Sequence, residues 1–112
     1  MRRILTSVVR VLPSLTWGET VEYGEDLVER EGLYYKKSSD FPFTGKVTGE
    51  QQGKFKHGKH HGPWTYYWGN GQLLSNGTYK NGKEDGPWVS YNKDGTVDEK
   101  DTGTYKDGVK VD

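Results

Sequence analysis

The feature that most restricts the fold is an internal repeat. Gly62-Pro63-Trp64 recurs as Gly86-Pro87-Trp88, Tyr67 as Tyr91 and Gly71 as Gly95, all at an offset of 24 residues. The run Gly53-Lys54-Phe55-Lys56-His57-Gly58-Lys59 returns at the same offset as Gly77-Thr78-Tyr79-Lys80-Asn81-Gly82-Lys83. A slightly longer third copy gives Gly103-Thr104-Tyr105-Lys106-Asp107-Gly108, and Phe43-Thr44-Gly45-Lys46-Val47 reads as a shortened first unit. A unit this short cannot bury its apolar face alone, so successive copies must stack.

The punctuation of the repeat decides what is stacked. His57-Gly58, Asn70-Gly71, Asn81-Gly82, Asp94-Gly95 and Asp107-Gly108 each suit a two-residue type I′ turn, in which both central residues need positive φ. The segments between these turns are 9 to 11 residues long, which fits antiparallel strands and is too short and glycine-rich for helices. The prediction is all-β: a single-layer antiparallel meander of β-hairpin repeats. Strand alternation sets Trp64, Tyr66 and Trp68 on one face and Thr65 and Tyr67 on the other, so aromatic rings populate both faces. Ahead of the array, Asp26-Leu27-Val28-Glu29 and Leu33-Tyr34-Tyr35-Lys36 flank Arg30-Glu31-Gly32 and read as another hairpin. Ser38-Ser39-Asp40-Phe41-Pro42 follows as a linker, and the acidic segment Glu19 to Glu25 is expected to be loose.

Composition tests whether such an array can hold together. Hydrophobic residues make up 30% and the mean hydropathy is −0.98, which by itself suits disorder. Four Trp, eight Tyr and three Phe argue against that, since each ring buries roughly 150–250 Å². A thin aromatic core is expected. The recurring Trp64, Tyr67, Tyr79, Trp88, Tyr91 and Tyr105 are its members, and Gly58, Gly71, Gly82, Gly95 and Gly108 are the turn residues.

The first residues resemble a secretory signal: Met1-Arg2-Arg3, an apolar stretch from Ile4 to Leu15, then Thr16 and Gly18 as small residues. Arg10 interrupts the stretch at a cost of ~2.5–3.5 kcal/mol on insertion scales, roughly cancelling its apolar residues. The expected division is a signal-like or vestigial leader over residues 1–18, a segment with a hairpin and linker over 19–42, and the array over 43–112. The leader is too short to span a membrane.

The succession Gly-Pro-Trp, Tyr, Asn-Gly-Gln-Leu and Gly-x-Tyr-Lys-Asn-Gly-Lys closely resembles the second variant of the MORN repeat, as found in bacterial proteins labelled YwqK-type antitoxins. The resemblance runs from about Leu33 to Asp112. It implies a single-layer array of hairpins and a binding role as the neutralising half of a toxin and antitoxin pair. It supplies no catalytic residues.

The residues themselves exclude much other chemistry. Lys plus Arg and Asp plus Glu both number 16, so no basic field draws in nucleic acid. Cysteine is absent, which removes disulfides and thiolate chemistry. His57, His60 and His61 look like metal ligands, yet they align with Asn81, Glu84 and Asp85, positions at turns and strand starts that favour polar residues. No metal, cofactor or catalytic residue is predicted, and no enzymatic activity. Ser75 and Ser90 lack a glycine elbow, and no Gly-rich loop leads from a strand into a helix. Tyr66 and Trp68 stand apart because Ser90 and Asn92 replace them in the next copy. Packing between units would demand an aromatic in every copy, so these two are the predicted contacts to a protein partner. The expected function is a non-catalytic protein-binding module, an antitoxin acting in the cytoplasm. The alternative is an exported envelope protein in peripheral contact with lipid or cell-wall material.

Overall fold

The computed structural model describes residues 19–112, so the leader predicted for residues 1–18 lies outside the described residues. The described chain is all-β apart from one helical turn, α1 (Tyr23–Asp26). Its strands are β1 (Thr20–Glu22), β2 (Leu27–Arg30), β3 (Leu33–Lys36), β4 (Gly45–Thr48), β5 (Gln51–Lys56), β6 (Lys59–Tyr67), β7 (Leu73–Lys80), β8 (Lys83–Glu84), β9 (Gly86–Ser90), β10 (Gly103–Lys106) and β11 (Val109–Lys110). The long sheet has the order β1-β4-β5-β6-β7-β9-β10-β11 with β8 beside β7, and β2 and β3 form a separate pair.

From β4 onward every pairing is antiparallel, but β1 runs parallel to β4, with Val21 opposite Val47. This corrects two expectations, a purely antiparallel sheet and a loose segment from Glu19 to Glu25. A parallel neighbour needs a long crossover, which α1 and the β2–β3 hairpin provide. The strand is held because Val21 is 5% exposed against Val47 at 4%, and because Lys36 pairs with Glu19.

Each repeat uses two different turns rather than one. His57, Asn81 and Asp107 have φ of 51°, 54° and 51° and precede glycines of positive φ, as a type I′ turn requires. Glu31-Gly32, at φ 51° and 86°, makes the same turn in the β2–β3 hairpin. Asn70 and Asp94 do not have positive φ, which corrects the expectation there. In these loops the Gly71 N–H bonds the Trp68 carbonyl at 2.9 Å and the Trp68 N–H bonds the Gln72 carbonyl at 2.8 Å. Asn92 to Thr96 repeats the pattern, with both bonds at the matching positions. This is a type I turn closed by a glycine bulge. Asn70 and Asp94 are there for their side chains, whose Oδ1 atoms accept the Gln72 and Thr96 N–H at 2.9 and 3.0 Å.

The core lies on one face of the sheet. Along β5 and β7 exposure alternates, with Lys54, Lys56, Asn76, Thr78 and Lys80 outward and Phe55, Ser75 and Tyr79 inward. The inward rings touch in series: Tyr34 to Phe55 at 4.7 Å between centroids, Phe55 to Trp64 at 5.1 Å, and Tyr79 to Trp88 at 5.1 Å. Trp64 and Trp88 are 1% and 6% exposed. Each indole Nε1–H donates to a carbonyl ten residues back, Trp64 to Lys54 at 2.9 Å and Trp88 to Thr78 at 3.1 Å. Tyr67 and Tyr91, expected in the core, are only half-buried and stand outside this cluster. At both positions the backbone is tied in, the Tyr67 N–H to the Glu50 carbonyl and the Tyr91 N–H to the Leu74 carbonyl, both at 2.8 Å, and nothing in the structure explains why tyrosine recurs there.

Residues 19–42 are part of the same core rather than an appendage. The Tyr34 N–H bonds the Gly58 carbonyl at 2.9 Å, and the Phe43 N–H bonds the Tyr34 carbonyl at 2.8 Å. A Cβ at Gly58 would meet Pro42 and Leu33 at 3.0 and 3.1 Å, so glycine is what lets the hairpin approach this turn. The N-terminal hairpin therefore covers the aromatic face of the first repeat.

Candidate binding cleft

What the hairpin covers in the first repeat lies open in the second. A cleft of about 370 Å³ sits on the inward face where β6, β7, β9 and β10 run side by side. Its floor is one cross-strand row, because Ser75 on β7 pairs with Tyr66 on β6 and with Ser90 on β9. Its walls are the rings of Tyr66, Tyr79, Trp88 and Tyr105. The opening has a local cause. Trp64 has Tyr66 two residues on, with the ring stacked on it at 5.9 Å, whereas the equivalent neighbour of Trp88 is Ser90. The smaller side chain leaves the space beside Trp88 unfilled.

Polar groups gather around this space. The Tyr66 and Tyr79 hydroxyls are 2.7 Å apart, and burial first, then each other's presence, holds the Tyr66 phenol well above its ordinary pKa. Tyr79 is likewise raised, chiefly by burial. Ser75 is 7% exposed and lines the cleft, yet its hydroxyl has no hydrogen-bond partner among the described residues. Glu84 of β8 and Asp101 complete the lining. Asp101 comes from the connection between β9 and β10, which makes the third copy longer, with Gly103 following Gly77 by 26 residues. The Tyr105 hydroxyl donates to the Asp101 carbonyl at 2.8 Å, and Thr102 Oγ1 accepts the Ser90 N–H at 2.9 Å, so this connection is tied down at the rim.

The structure does not bring the two predicted contact residues, Tyr66 and Trp68, to one place. Tyr66 lines the cleft and packs against the core, at 6.3 Å from the Trp88 ring as well as on Trp64. A register shift between Tyr66 and Tyr67 ends the alternation that would keep Trp68 on the same face. Trp68 instead staples two turn rows: its Nε1–H donates to the Tyr91 carbonyl at 3.1 Å, and Lys93 Nζ lies 5.3 Å from its ring centre. Asn70 Nδ2 donates to the Lys93 carbonyl at 3.3 Å beside it.

The histidines also separate. His57 forms a turn, while His60 is packed among rings, 4.5 Å from Trp64 and 4.5 Å from Tyr79. This corrects the reading of His60 as an ordinary polar position at a strand start. Burial lowers its pKa to about 4. Among the described residues no group of three His, Cys, Asp or Glu side chains is placed to hold a metal ion, and no helix is long and apolar enough to cross a membrane.

Comparison of the chain with models of protein families, with curated proteins and with solved structures returns no match.

Proposed function

We infer that the chain is a non-catalytic protein-binding module and that it neutralises a toxin by direct contact. The observation that carries this reading is the bare aromatic cleft of the second repeat, beside a first repeat whose equivalent face the chain covers itself. Tyr and Trp supply large contact area at low conformational cost, and a rigid sheet presents them already in place. The likeness of the repeat to the second MORN variant in YwqK-type antitoxins supplies the toxin as the partner. Glu84 and Asp101 at the rim argue against the envelope alternative, since carboxylates repel anionic lipid headgroups.

Co-expression tests this reading. The chain is produced together with the protein encoded beside it, and growth and co-purification are followed. Relief of growth arrest and a complex of fixed stoichiometry are expected. A neighbour that remains fully toxic, or that never co-purifies, overturns the assignment.

A further inference from the structure

The chemistry of the cleft is weighted toward acceptors and negative charge. Glu84 and Asp101 offer carboxylates, and among the described residues neither takes part in an ion pair. Carboxylate oxygens accept hydrogen bonds and donate none. Of the Tyr66 and Tyr79 hydroxyls one donates to the other, which leaves one O–H hydrogen and lone pairs on both oxygens to spare. Ser75, almost fully buried, holds its hydroxyl at the floor without a partner among the described residues, and a buried polar group left unmade is costly. Rings enclose the same space: Trp88 and Tyr66 are tilted by 38° at 6.3 Å, and Tyr79 stands edge-on to Trp88 at 5.1 Å. The faces of such rings attract cations.

A group that suits the two carboxylates and the rings is cationic, flat enough to lie along a ring, and rich in donors. The guanidinium has this combination, with five N–H donors in a planar fork, and it is more weakly hydrated than an ammonium. We propose that the cleft formed by Tyr66, Tyr79, Trp88 and Tyr105 takes the side chain of an arginine from the bound protein, its guanidinium against Trp88 and its N–H groups on Glu84, Asp101 and the Ser75 hydroxyl. The identity of the protein that brings the arginine rests on the binding reading above. The chemistry of the cleft does not.

The test uses the full chain with N-acetyl-arginine amide, and with N-acetyl-citrulline amide as a neutral compound of nearly the same shape. Amide and indole resonances are followed during titration. Saturable shifts at the Trp88 indole and the Ser75 amide are expected with the arginine compound, and affinity about tenfold lower with citrulline, because the cation–π and ionic contributions are lost. The pair Glu84→Gln and Asp101→Asn should weaken the arginine compound by a similar factor. Equal binding of the two compounds, absence of shifts at Trp88, or indifference to the paired substitution overturns the proposal. If the paired variant does not fold, the comparison of the two compounds on the parent chain still decides. The titration contains no partner protein, so its failure removes the arginine cleft alone, whereas failure of co-purification with normal titration removes the neutralising role alone.

Discussion

Trp88 lies so close across Gly77 that a Cβ on the glycine would fall 2.1 Å from its ring, and Trp64 stands over Gly53 in the same way at 2.4 Å. The contact is with the ring system rather than with a flexible chain end. Gly77→Ala should therefore push the indole off its bond to the Thr78 carbonyl and cost about 2 kcal/mol, as overpacking a tight core does. Urea unfolding followed by tryptophan fluorescence measures this. A midpoint unchanged from the parent would show that the strand can shift to accept a methyl group.

Tyr66 and Trp68 should separate under mutation. Tyr66→Ser removes a ring stacked on Trp64 and the partner of the Tyr79 hydroxyl. Its cost should be about 2 kcal/mol, at the low end for truncating a large side chain because the ring is half-exposed. Trp68→Asn removes one donated bond and a cation contact at the turns, for about 1 kcal/mol. If the proposed binding role holds, partner binding should fall with Tyr66→Ser and hold with Trp68→Asn, read by co-purification with the protein encoded beside the chain. The milder Tyr66→Phe keeps the ring and isolates the hydroxyl.

The two turn classes give opposite responses to one substitution. At Asn81, with φ 54°, glycine relieves a left-handed residue and Asn81→Gly should leave stability within a few tenths of a kcal/mol. Asn70→Gly should cost about 1 kcal/mol, because it deletes the bonds to the Gln72 N–H and the Lys93 carbonyl. Thermal melting of the two variants side by side checks the contrast.

Stability should fall with acid because of His60. Its pKa is about 4 in the folded chain against 6.5 unfolded, so the folded state favours the neutral ring. The contribution is complete above pH 6.5 and is lost as pH falls toward 4, where the unfolded chain takes up the proton first. After allowance for partial exposure the loss is about 2 kcal/mol. His60→Phe should flatten unfolding free energy against pH across this window. A slope that survives the substitution would place the titration on other groups.

Much of the fold is legible in the repeat alone, because a two-residue hairpin and a tryptophan over a glycine are both local demands. The period fixes where strands begin, and His57, Asn81 and Asp107 take the left-handed turn their glycines announce. Less legible is what depends on contacts between distant residues. The parallel pairing of β1 rests on Val21 meeting Val47, and nothing in the spacing of those two valines announces it. His60 looks polar in the alignment because its equivalent is Glu84, yet as a neutral imidazole it packs among the rings of Trp64 and Tyr79. Of the cleft, one signal was present in the chain: the exchange of Tyr66 for Ser90, which marks a departure from the period without saying whether ring or gap is the working part. Asp101 and Glu84 carry no such mark, since only the folded sheet brings them to one rim.

The tryptophan standing over a glycine eleven positions earlier has a bearing on heredity. The two halves of each pair lie on neighbouring, hydrogen-bonded strands, β5 with β6 and β7 with β9, so a gene segment gained or lost between them leaves a ring with no bare backbone beneath it. A loss of 24 residues that begins between Gly53 and Trp64 sets Gly53 eleven positions before Trp88 and so keeps an intact pair, whereas a loss of another length at that place does not. Descendants of this gene should therefore differ in whole steps, with small insertions tolerated only where no ring crosses over, as between Ser90 and Gly103.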